Sequence, residues 1–196
     1  MVSLQHNGTF FGHDYDHFCC GIIIKQKWII TSAQCALARK VNEFHVRVGS
    51  SKYYENGAIY NIKNIAIHPN YNNIILDYDV ALLELTKSIV FDKNTMPIDI
   101  PENNEIIQDK TNISIAGWGA TQLLGKISDD LRESHVQKIS NEACQLYYGN
   151  NSVTDRMFCI FTEGSGPCVG DSGSPATVLR EKGKREEEVM GTYACE

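Results

Sequence analysis

Residues 168–175 read CVGDSGSP. Glycines stand on both sides of Ser172, and glycine lets the backbone turn tightly enough to gather N–H groups beside the hydroxyl. Two such donors could stabilise a developing oxyanion. A G-D-S-G tetrapeptide also fits an ordinary turn, so its meaning depends on what surrounds it.

The surroundings are those of a small globular protein. A chain of 196 residues, 42% hydrophobic and 21% charged, suits one compact domain or two small ones sharing a core. The longest apolar stretches have strand length, so no membrane span is expected. A formal charge of −6 without a basic block argues against a nucleic-acid partner. The mixed-sign run Arg180–Val189 reads as a solvated hairpin tip around Lys182-Gly183-Lys184. Seven cysteines suggest an oxidising compartment, and their odd number leaves at least one outside any internal pairing. None forms a C-x-x-C pair, so zinc is not expected. Sequons at Asn7, Asn112 and Asn150 are compatible with secretion. No signal-peptide pattern is visible, so either the chain is cytosolic or its export signal is not part of this sequence.

The patterning is mostly β. HVRVGS (45–50) and IYNIKNIAI (59–67) alternate, while DVALLEL (79–85) and NISIAGW (112–118) read as strands with one or two buried faces. Turn signals such as Asn56-Gly57 and His68-Pro69-Asn70 separate them. One helix is expected over SNEACQLYYG (140–149), capped by Ser140 or Asn141 and stopped by Gly149. The polar segment 92–110 divides the chain into halves of similar strand content. This predicts an all-β single domain: a first β unit over 1–95, a connector over 96–110, a second unit over 111–196, and a cleft between the units.

Several further segments then decide the reading of Ser172. HFCCGIIIKQKWIITSAQC (17–35), HPNYNNIILDYDVALLEL (68–85), ISIAGWGAT (113–121) and VTDRMFC (153–159) fall in the order and spacing of the chymotrypsin/trypsin family of serine proteases. The chain resembles that family over nearly its whole length. The resemblance implies two six-stranded antiparallel β-barrels, the second truncated at its C-terminal side. It implies Ser172 at the nucleophile position, Asp79 rather than Asp77 at the triad acid because it directly precedes VALL, and Gly170 and Ser172 as oxyanion-hole donors.

Where the family has its histidine, this chain has Gln34. A serine hydroxyl is a poor nucleophile until a base takes its proton, and imidazole serves because its pKa lies near neutrality. A carboxamide can hydrogen-bond but cannot shuttle a proton. In subtilisin, loss of the histidine costs about 10⁶ in kcat, roughly 8 kcal/mol of barrier. The resemblance also implies a precursor-like lock, with His17 and Ser3 holding the Asp171 carboxylate in place of a free amino terminus. A buried carboxylate needs some such partner.

The specificity pocket is altered too. Gly166, followed by Pro167, aligns with the aspartate of trypsins, so no basic side chain would be selected. Ala194, Cys195 and Glu196 stand in place of the pocket's far wall. The family frame implies disulfides Cys19–Cys35, Cys144–Cys159 and Cys168–Cys195, leaving Cys20, where the family commonly has glycine, as an inert free thiol at the cleft edge. The stretch matching the family's calcium loop, 50–60, offers only Glu55, so no metal is expected, and no cofactor.

These features describe a secreted, catalytically silent protease homologue that binds other proteins. It is similar to the inactivated protease paralogues of parasitic mites, a resemblance that implies host defence or complement proteins as partners. The alternatives are an active serine endopeptidase with an unrecognised base, and a truncated or partial gene product without function.

Overall fold

A computed structural model describes residues 1–7, 16–101, 105–149 and 152–178, and the backbone of 179 and 185–190. Six strands form the first unit: β1 (Val2–His6), β2 (His17–Lys25), β3 (Trp28–Thr31), β4 (Phe44–Val48), β5 (Ala58–Ile67) and β6 (Ala81–Leu85). They close into an antiparallel barrel in the order β1-β2-β3-β6-β5-β4. Closure removes the exposed edges that a flat sheet would leave. In β6 the pleat buries Ala81, Leu83 and Leu85, and these meet Leu4, Ile29, Phe44 and Val46 in the barrel core.

One expectation changes in β4. Its sequence alternates, yet all five of its residues are buried, His45 and Arg47 included. The reason is Gln5 of β1, whose Oε1 accepts from Arg47 Nε at 3.3 Å and lies 3.0 Å from His45 Nε2. Polar groups on the nominally outer face are thereby paired and covered rather than solvated.

The second unit holds β7 (Asn112–Gly117), β8 (Arg132–Ile139), β9 (Cys159–Phe161), β10 (Pro175–Leu179) and β11 (Arg185–Met190). Among the described residues these form a five-stranded open sheet, ordered β11-β10-β7-β8-β9, not a closed six-stranded barrel. Its core is Ile113, Ile115, Val136 and Ala176. The hairpin tip expected at 182–184 lies outside the described residues, as does Asn150, whereas Asn7 and Asn112 are exposed.

Two short helices complete the fold. Helix α2 (Asn141–Tyr148) begins where Ser140 Oγ accepts the Ala143 N–H at 3.1 Å and ends at Gly149, φ 90°. A four-residue helix α1 (Ala33–Ala36), capped by Ser32, was not foreseen from the sequence. The two units meet where Trp118 packs on Tyr53 and Cys20, with Trp118 Nε1 donating to the Ser51 carbonyl at 2.8 Å. No described helix is long and apolar enough to cross a membrane.

Candidate active site

Helix α1 presents Gln34 to the cleft. Ser32 caps it, and the Cys19–Cys35 disulfide ties it to β2 across 6.2 Å between Cα atoms. The Gln34 N–H donates to Asp79 Oδ1 at 2.8 Å. Gln34 itself is exposed, and its carboxamide makes no hydrogen bond among the described residues. Asp79 sits two residues before β6, and its Oδ2 is buried.

Ser172 arrives from the opposite unit. Gly170 and Gly173 flank it at φ +102° and +83°, left-handed conformations that favour glycine. A side chain at Gly173 would run into the Cys20 carbonyl and Thr31. The Ser172 carbonyl accepts the Cys20 N–H at 2.8 Å and lies 3.6 Å from Cys35 Sγ, so the turn is laid directly against the disulfide next to Gln34. The backbone N–H groups of Gly170 and Ser172 take no internal acceptor among the described residues. The Ser172 hydroxyl has no partner among them either.

The lock differs from expectation. Ser3 Oγ does meet His17 Nδ1 at 2.8 Å, but His17 Nε2 points to the Gly170 carbonyl at 2.9 Å and not to Asp171. A carbonyl only accepts, so Nε2 carries the proton and Ser3 donates to Nδ1. Burial drives the His17 pKa down to about 4, with the Gly170 hydrogen bond opposing, so the ring is neutral. The Asp171 carboxylate instead accepts N–H groups from Gly119 at 2.7 Å and Cys168 at 3.0 Å. Gly117 and Gly119 allow this approach, since a Cβ at either would collide with the carboxylate. Burial still pushes the Asp171 pKa up against those two amides. Backbone donors thus supply what the sequence had assigned to an imidazole.

Cys20 is fully buried beneath the same turn, its Sγ 3.6 Å from the Gly170 carbonyl and 4.0 Å from His17 Nε2. Burial pushes its thiol up to about 12, which makes thiolate chemistry negligible. Cys144–Cys159 forms as expected. Cys168 is disulfide-bonded, and its expected partner Cys195 lies outside the described residues with Ala194 and Glu196.

A cleft of about 1130 Å³ runs between the units, lined by Gln34, Asp79, Tyr78, Arg156, Gly166 and Pro167 among others. A Cβ at Gly166 would meet nothing within 4 Å, so the cleft is open at this position. Among the described residues no group of acidic, histidine or cysteine side chains could hold a metal ion.

Sequence reasoning passed over Asp77. It is 7% exposed and takes a two-pronged contact from Arg156, Nε to Oδ1 at 2.9 Å and Nη2 to Oδ2 at 2.6 Å. Thr154 Oγ1 adds a third bond at 3.0 Å. Those hydrogen bonds hold the Asp77 carboxyl below the usual carboxylate range. The partners lie 79 residues apart, and only a D-Y-D spacing hinted at a second acid.

Against known proteins, a sequence model described as Trypsin matches residues 1–193. Trypsin 5G1 of Aedes aegypti is 36% identical over 178 residues, covering 89% of this chain and 64% of its own length. Trypsin of Simulium vittatum is 37% identical over 182 residues, covering 91% and 72%, and the alkaline A trypsin of Manduca sexta is 34% identical over 180 residues, covering 89% and 68%. The chain spans about two thirds of the length of these relatives.

Proposed function

We propose that this chain, which belongs to the trypsin family, is a secreted non-catalytic member that acts by binding other proteins. The observation that carries the reading is Gln34. The backbone at that position is tied to Asp79, and the turn at Ser172 rests against Cys35, yet the side chain offered to the cleft has no basic nitrogen. Without general-base help the Ser172 hydroxyl is not activated. The unbonded N–H groups of Gly170 and Ser172 suit capture of a carbonyl oxygen, which is binding without turnover.

Disulfides at Cys19–Cys35 and Cys144–Cys159 support an extracellular setting. Gly166 in an open pocket supports the loss of preference for basic side chains. Surface loops freed from substrate turnover can evolve toward a partner, and host defence proteins, including complement components, are the class proposed.

A serine-directed fluorophosphonate probe tests the reading. Ser172 should label no faster than in the urea-unfolded chain. Rapid labelling that Ser172→Ala removes would show an activated nucleophile and defeat it. Titration of purified complement components should give a saturable complex. No measurable affinity for any would remove the defence-protein assignment.

A further inference from the structure

The turn that leads into Asp79 is strained. Leu76 and Tyr78 both hold φ near +55°, at 55° and 54°, which L side chains adopt only when their surroundings force it. Between them Asp77 points across the cleft end to Arg156, with Thr154 adding one further bond across the same gap. Asn72 closes the turn locally, its N–H donating to the Asp77 carbonyl at 2.9 Å and its Oδ1 accepting from Ile74 N at 2.9 Å. The Arg156 guanidinium also lies 4.5 Å over the Tyr78 ring, whose other neighbour is His68, stacked at 4.6 Å and 10°.

We propose that Asp77 and Arg156 are positioning residues: their two-pronged pair clamps the strained turn of the first unit to the 153–157 segment of the second, and so fixes Asp79 at the Gln34 N–H. The link runs along the chain: Asp79 is two residues beyond Asp77, and Tyr78 between them is held on one side by Arg156. A guanidinium suits the role, since its fork fixes orientation as well as distance. The inference stands whether or not the chain turns over substrate, because it concerns where the carboxylate is held.

Amide hydrogen exchange of the full chain reads the claim at one atom, the Gln34 N–H. In Arg156→Ala, exchange at Gln34 and Tyr78 should rise together by roughly tenfold or more, while Leu4 and Val46 in the barrel stay unchanged. Arg156→Lys, which keeps the charge and loses the fork, should fall between. Asp77→Asn is the second arm, close in size and able to keep the Thr154 contact. If Gln34 exchange is unmoved while the turn loosens, the pair holds only the loop and the proposal fails. It fails equally if every amide accelerates in step, or if both variants unfold, since the pair would then be a general stability element.

Discussion

The backbone N–H of Gln34 sits 2.8 Å from Asp79 Oδ1, so residue 34 leaves the main chain already docked on the acid. On the proposed reading, what residue 34 lacks is the basic nitrogen of its side chain. Gln34→His should raise hydrolysis of an activated ester by about 10²-fold or more, the lower end of what a placed general base contributes. Initial-rate assays of the variant with and without Ser172→Ala check this. An unchanged rate would place the fault elsewhere in the site.

His17 makes stability depend on pH. Its folded pKa is about 4 against 6.5 unfolded. Between those values the unfolded chain binds more protons, so stability falls as pH drops from about 6.5 toward about 4, by up to about 3 kcal/mol. Above 6.5 this residue contributes no slope. His45, also driven down to about 4, acts in the same window. Urea midpoints from pH 4 to 8 measure it, and His17→Leu should reduce the slope to the part that His45 contributes.

Cys20 should be silent to thiol reagents in the native protein at pH 8 and react fully in urea, because its sulfur is buried and its pKa pushed up to about 12. A kinetic trace with a chromogenic disulfide distinguishes this from a reactive cleft thiol.

Two glycines, Gly173 under the Ser172 turn and Gly166 in the cleft, should respond differently to alanine. Gly173 has φ +83° and no room beside the Cys20 carbonyl, so Gly173→Ala should cost about 2–4 kcal/mol. Gly166 faces open space, and Gly166→Ala should stay within about 0.5 kcal/mol. Denaturant unfolding of both variants gives the comparison.

Much of this was legible in the sequence because it depends on local pattern. The pleat of Ala81–Leu85, the cap at Ser140 and the glycines around Ser172 each announce their conformation within a few residues. What escaped depends on partners brought from afar. His45 and Arg47 read as an outer face until β1 lays Gln5 against them. Asp171 called for a charged or imidazole partner, yet the backbone amides of Gly119 and Cys168 serve, and amides leave no mark in a sequence. Asp77 and Arg156 meet only because two separate units close on each other.

The most direct measurement is peptide-bond turnover by purified wild-type protein against a mixed-sequence peptide library, read by mass spectrometry beside Ser172→Ala. Both proteins should leave the library intact, at rates no different from each other. Cleavage by the wild type that Ser172→Ala abolishes would contradict a cleft that holds without cutting.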